Sequence, residues 1–149
     1  MSSPEILVSD ENLKRVVEEI VEAFNAHDLD RIASWYAEDA LHYQPNRAEP
    51  LRGRDAIRED YRDATWIPFP DFHFELERAF GHRDWLCVQG TLTGTHEGPL
   101  HDSDGETIPA TGRSIHVPIC LVVRIEDGKA AEVYEYNDQL SFMAQLGLL

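Results

Sequence analysis

The sequence predicts an α+β domain in which N-terminal helices lie against one strongly curved, mostly antiparallel sheet. Three observations carry this expectation. Apolar residues recur at helical spacing as far as about Thr65. Beyond Pro68 and Pro70 they alternate with polar residues in runs of strand length. Helices first and antiparallel strands afterwards is the order that gathers the helices on one side of a sheet.

The first helix is expected to reach about His27, capped by Ser9 or Asp10, with Leu13, Val16, Val17, Ile20, Val21 and Phe24 as its apolar stripe. Asp28 or Asp30 caps a short second helix that carries Leu29, Ile32, Trp35 and Tyr36. A brief extended piece, Leu41 to Gln44, leads through Pro45 and Pro50 into a third helix from about Asp55 to Thr65. Ile57 and Tyr61 fall on one face of it. Phe72, Phe74 and Leu76 then alternate with His73, Glu75 and Glu77, and Gly81 to Asp84 forms a turn. Trp85 to His96 reads as a long strand in which Gly90 and Gly94 permit a bend or bulge. A polar loop, Glu97 to Arg113, precedes strands Ser114–Ile125 and Ala130–Tyr136, and a last helix covers Leu140–Leu146. One domain is expected over residues 1–149, with about ten residues of N-terminal extension. A bent sheet under helices leaves a concave space, where small molecules bind.

Composition narrows the function. The chain is 42% hydrophobic and 28% charged, within the ordinary globular range. Its formal net charge of -15 opposes nucleic acid and anionic membrane, since both are met by cationic surfaces. No apolar run approaches membrane-spanning length, and Met1-Ser2-Ser3-Pro4 begins no signal peptide. Cys87 and Cys120 lack metal-ligand spacing and are expected as buried free thiols in a reducing cytoplasm. No metal is expected: the chain contains no His-Glu-x-x-His motif, no paired cysteines and no calcium-loop spacing. Neither a nucleophile elbow, nor a phosphate-cradling loop, nor a dinucleotide-binding glycine motif is present.

Several short motifs recur in a familiar order. They are Ala23-Phe24-Asn25, Leu29-Asp30, Phe69-Pro70-Asp71 and Leu92-Thr93-Gly94-Thr95-His96-Glu97-Gly98. Ile108-Pro109-Ala110-Thr111-Gly112-Arg113, Arg124 to Lys129, Asp138-Gln139-Leu140 and Gln145-Leu146-Gly147 follow. In order and spacing the chain resembles the SnoaL-like polyketide cyclases, whose members adopt the nuclear transport factor 2-like α+β cone. The resemblance implies ring closure by intramolecular aldol chemistry with no metal or organic cofactor. It places the family's catalytic aspartate on Glu135 and its polar partners on Ile119 and Leu121, which cannot hydrogen-bond. Phe24 and His42 fall at positions that face substrate. Together with a broad exposed sheet face, the resemblance also implies a homodimer. The fold hosts cyclases, isomerases, epoxide hydrolases and binders alike, so it does not by itself choose among them.

The turn at Glu126-Asp127-Gly128 tests Glu135 separately. A three-residue turn with Gly128 in a left-handed bulge pairs Ile125 with Lys129, setting Glu135 opposite Ile119 and Val133 opposite Leu121. A two-residue turn would set Glu135 near Pro118 and Cys120 instead. The first is preferred because it gathers Val117, Ile119, Leu121, Val123, Ala131 and Val133 on one face around Glu135. A carboxylate there would be poorly solvated, with a raised pKa suited to a general base. The competing reading is a glutamate at the sheet end that pairs with an arginine.

Asp138 is a second acidic candidate, although it directly precedes the last helix and can cap it. His42, His96 and His116 could donate to a carbonyl, and each could equally satisfy a local contact. Phe24, Trp35, Tyr36 and Tyr43 could line the cone or simply pack. The expected ligand contacts are Phe24, Trp35, His42, His96, Ile119 and Leu121, and the expected ligand is a small apolar or aromatic carbonyl compound. Three functions remain open: a cofactor-free enolate enzyme, an epoxide hydrolase, and a non-catalytic carrier.

Overall fold

The computed structural model describes residues 3–8, 10–102 and 104–149, so the proposed cap Ser9 lies outside the described residues. Among the described residues the four α-helices are α1 (Glu11–Asn25), α2 (Leu29–Trp35), α3 (Arg54–Asp60) and α4 (Gln139–Gln145). Asp10 caps α1 by accepting from the Asn12 amide at 2.8 Å, and Val17 and Ala23 are its fully buried residues. At its far end Asn25 pins the helix to the sheet. Its side chain donates to the Phe74 carbonyl at 2.9 Å and accepts from the Phe74 amide at 2.8 Å. Asp28 caps α2 through the Arg31 amide.

The strands are β1 (Glu5–Leu7), β2 (Tyr36–Tyr43), β3 (Leu51–Arg52), β4 (His73–His82), β5 (Trp85–Thr95), β6 (Leu100–His101), β7 (Thr107–Ile108), β8 (Ser114–Glu126) and β9 (Lys129–Asn137). Seven of them form one sheet in the order β1-β4-β5-β8-β9-β2-β3. The pairs within β4-β5-β8-β9 and the β2–β3 pair are antiparallel, while β1–β4 and β2–β9 are parallel. β6 and β7 make a separate hairpin inside the segment expected to be irregular. The result is the expected α+β cone.

Four local expectations need correction. Tyr36 leaves the second helix and opens β2, which spans eight residues rather than four. Its pairing with β9 is interrupted between Tyr36 and Leu41, and this break hides the strand period. Tyr43 faces away from the cone, stacked on Tyr134 with ring centres 4.6 Å apart. The third helix stops as an α-helix at Asp60 and widens into a π-helical turn, Tyr61–Trp66.

The fourth correction concerns the β8–β9 register. Asp127 and Gly128 both have positive φ, 53° and 76°, as a two-residue hairpin turn requires. Glu126 therefore pairs with Lys129 and Ile125 with Ala130. The register then shifts, so that Arg124 pairs with Glu132 and Ala131 is the extra residue. Glu135 stands opposite Leu121, not Ile119, and Val133 stands opposite Val123. The bulge restores the parity that the short turn had changed, so Glu135 still shares the inner face with Ile119 and Leu121.

β4 and β5 show a second irregularity, between Leu76 and Arg78, opposite Gly90. A Cβ on Gly90 would run into the Glu75 carbonyl and the Phe74 ring. The missing side chain lets β5 fold in beneath Phe74 and bends the sheet over the helices. One apolar cluster gathers around Val17, Ile32, Tyr36, Ile57, Leu86, Val123 and Val133. A second, Phe69, Phe72, Ile115, Val117 and Leu146, packs against Phe142 of α4.

Candidate active site

Between the helices and the inner sheet face lies a cavity of about 770 Å³, within the size range of small-ligand sites. Apolar side chains make most of its wall. Ile20, Val21 and Phe24 come from α1, Ile32 and Trp35 from α2, and Ile115, Val117, Ile119 and Leu121 from β8. Phe24 sits among the rings of Tyr61, Trp66, Phe72 and Phe74, with centroids 5.8–6.5 Å away.

Polar groups are concentrated along β2, the end of β9 and the π-helical turn. The parallel β2–β9 pairing sets His42 beside Val133, and Glu135 follows two residues on along the same face. Glu135 Oε1 lies 3.1 Å from His42 Nε2. Glu135 Oε2 accepts from Asn137 Nδ2 at 2.7 Å, and Asn137 Oδ1 accepts from Gln139 Nε2 at 2.6 Å. His42, Glu135, Asn137 and Gln139 all line the cavity. The His42 side chain is 4% exposed and that of Glu135 is 19%. This carboxylate is thus held from two sides and is largely withdrawn from solvent. With Nε2–H donated to the carboxylate, His42 Nδ1 is an acceptor without a partner among the described residues.

A second acidic group stands nearby. Asp60 accepts from Gln44 Nε2 at 2.8 Å and lies 3.7 Å from Arg47. Next to it, the Tyr61 hydroxyl is 2.7 Å from that of Tyr36, whose ring stacks on His42. Burial pushes both phenols well above their ordinary pKa, so both stay neutral.

Of the residues singled out in the sequence, Phe24, Trp35, His42, Ile119, Leu121 and Glu135 line the cavity. Three others do something else. Asp138 is the N-cap of α4, accepting from the Ser141 amide at 2.9 Å. His96 is fully buried outside the cavity lining, so its reading as a ligand contact is withdrawn. Its Nδ1 lies 3.1 Å from Thr111 Oγ1, its ring lies against Phe69, and its backbone bonds to Gly112 and Arg113. Burial holds its imidazole below the usual pKa, which fits a neutral ring that orders the loop. His116 faces outward, where its backbone receives and donates the Gln145 side-chain bonds that dock α4.

The sequence reading did not single out Asn137, Gln139, Asp60, Gln44 or Tyr61. Two of these carried a usable signal. Asn137 is two residues beyond Glu135 on one strand, hence on the same face. Asp60 is three residues beyond the buried Ile57 on one helix, hence near the core side.

The curved sheet, the helical cover and a carboxylate–histidine pair inside the cone define a nuclear transport factor 2-like small-molecule fold. Residues 14–146 match the SnoaL-like polyketide cyclase family, and the chain belongs to it. Two relatives are aklanonic acid methyl ester cyclases, one from a Streptomyces species and one from Streptomyces peucetius. Each is 28% identical over 136 residues, which is 89% of this chain and 80% and 88% of theirs. Among solved structures, TsrD of Streptomyces laurentii superposes with a TM-score of 0.78 at 25% identity, covering 94% of this chain and 98% of its own. A SnoaL-like protein of Jannaschia sp. also reaches 0.78, at 20% identity over 93% and 92%. No helix among the described residues is long and apolar enough to cross a membrane.

Proposed function

We propose that the chain is a cofactor-independent cyclase that closes a ring on a polyketide-like carbonyl compound by aldol chemistry, with Glu135 as general base. The observation that supports it is the Glu135 carboxylate, held by His42 and Asn137 in a mostly apolar cavity. Glu135 takes a proton from a carbon next to a carbonyl. The resulting enolate carbon attacks a second carbonyl carbon of the same molecule, and the new alkoxide is protonated to a hydroxyl. His42 donates to the carboxylate and orients it. The aromatic and aliphatic wall selects a small apolar or aromatic ligand and folds its reacting carbons together.

The chemistry uses no metal or organic cofactor in this reading. The working unit is a homodimer formed through the outer sheet face, where Leu7, Phe80, Cys87, Val122, Tyr134 and Tyr43 stand in one row across the strands. Phe80, Trp85 and Tyr136 are all exposed on that face, and large apolar surface of this kind marks an interface. The free thiols of Cys87 and Cys120 suit a reducing cytoplasm.

One observation favours a second reading. Ile119 and Leu121 place apolar side chains beside Glu135, which would suit a carrier that binds a carbonyl ligand without transforming it. Incubation with aklanonic acid methyl ester, the substrate class named for the two relatives, separates the two. The cyclase reading expects a ring-closed isomer of unchanged mass that Glu135→Gln fails to form. Tight binding with no isomer formed, in wild type and variant alike, would establish the carrier.

A further inference from the structure

The cavity wall holds a second carboxyl group that the reaction above leaves unused. Asp60 ends α3 where the helix widens, and its side chain is 10% exposed. Its Oδ2 accepts one neutral donor, Gln44 Nε2. Its Oδ1 accepts no hydrogen bond among the described residues. The nearest cation, the Arg47 guanidinium, is 3.7 Å away on a side chain that is itself 47% exposed. An ionised carboxylate taken out of solvent needs more support than this. Glu135 has a donor on each oxygen; Asp60 has one in all.

Among the described residues, the titratable groups that act on Asp60 come from several elements. His42 and Arg47 come from β2 and the segment after it, Glu135 from β9, and Tyr36 and Tyr61 from the start of β2 and the π-helical turn. Burial raises the proton affinity of Asp60 and the Glu135 charge adds to it, while Gln44, His42 and Arg47 oppose without reversing the direction. Glu135, with a donor on each oxygen, is supported as the carboxylate, and Asp60, with a single donor, is the better placed of the two to carry a proton, so the two carboxyl groups can work as base and acid.

We propose that Asp60 is the proton donor of the site, a neutral carboxylic acid whose Oδ1–H meets the substrate oxygen that becomes the alkoxide. The inference rests on Glu135 being the base. As Glu135 takes the carbon-bound proton and the new carbon–carbon bond forms, the C=O π pair moves onto oxygen. That oxygen takes the Asp60 proton. One proton has been accepted and one given, so the site resets when a proton passes from Glu135 back to Asp60.

Two measurements test this. Infrared spectra near neutral pH should contain the C=O stretch of a buried neutral carboxylic acid in wild type and in Glu135→Gln, and lose it in Asp60→Asn. A carboxylate at Asp60 in wild type and in Glu135→Gln alike would overturn the proposal, with no substrate needed. Turnover of aklanonic acid methyl ester should fall about a hundredfold in Asp60→Asn, and the alkaline limb of the wild-type pH profile should disappear. Full activity of Asp60→Asn with that limb intact, beside an inactive Glu135→Gln, would overturn the donor and leave the base standing. Full activity of Glu135→Gln would remove the base, and the donor with it.

Discussion

Glu135 Oε1 and His42 Nε2 meet at 3.1 Å across the parallel β2–β9 pair, although the two residues are 93 positions apart in the chain. The contact depends on two features of the sheet. The bulge at Ala131 returns Glu135 to the inner face, and the parallel register sets His42 at the level of Val133. If Glu135 is the base, Glu135→Gln should lower turnover about a hundredfold or more. The same change should leave the melting temperature equal or higher, because an amide is buried at less cost than a carboxylate. His42→Gln keeps a donor for the carboxylate and should lose less. Initial rates and thermal melts of both variants check this, and a larger loss in His42→Gln than in Glu135→Gln would reverse the roles.

Much of this arrangement was legible in the chain, for physical reasons that differ by element. The stripe from Leu13 to Phe24 showed α1, and the alternation of Phe72, Phe74 and Leu76 showed where β4 begins, because one-sided burial leaves a period in the sequence. Gly90 showed a bend because nothing larger fits under Phe74. The β8–β9 register was not legible. A short turn and a compensating bulge leave the same apolar face as the longer turn that was expected, and patterning reads only the face. β1 is three residues on a parallel edge, too short to leave a period. Gln44 and Gln139 were missed because a polar residue that faces a cavity looks in sequence like one that faces solvent.

Asp138 and α4 offer a test that separates capping from catalysis. Asp138 accepts from the Ser141 amide, and the helix it begins carries Phe142 and Met143 to the cavity. Asp138→Asn keeps an acceptor at the cap and should retain stability to within a few tenths of a kcal/mol, with most activity. Asp138→Ala should cost about 1 kcal/mol. Denaturant midpoints of the two variants decide it. Loss of activity in Asp138→Asn without loss of stability would return Asp138 to the chemistry.

Gly90 should tolerate no side chain. An added Cβ meets backbone at Glu75 and ring at Phe74, and neither can swing away as a flexible side chain would. Gly90→Ala should destabilise the fold by about 1–3 kcal/mol, in the range of overpacked cores. A midpoint in chemical denaturation equal to wild type would show that the sheet bend does not depend on this position.

Cys87 and Cys120 lie on the outer sheet face with their sulfurs 3.4 Å apart, both half-buried and free. Burial, helped by the Cys120 thiol and its charge, pushes the Cys87 thiol up to about 11. Only the thiolate is a nucleophile, so Cys87 should alkylate slowly with iodoacetamide near neutral pH and faster as pH rises towards 11. Peptide mapping after timed alkylation reads the rate. Rapid modification of Cys87 in the folded protein at neutral pH would contradict the burial of this thiol.

The stability of the fold should carry the signature of Asp60. Its pKa in the folded chain is raised, first by burial and then by the Glu135 charge, above the ordinary value near 3.9 that it regains on unfolding. The folded state therefore binds this proton more tightly than the unfolded state does. Its stabilising contribution is fully present below the ordinary carboxylate pKa and is lost as pH rises through the folded value. Asp60→Asn removes the titrating proton while the new side-chain oxygen can still accept from Gln44. Relative to wild type, the variant should gain melting temperature as pH rises from the acid side towards neutrality. The other titrations are common to both proteins and largely cancel in the difference. Paired thermal melts across that pH range measure it directly. A wild-type protein that gains on the variant with rising pH would mean that Asp60 is better supported as a carboxylate than its single donor and distant guanidinium imply.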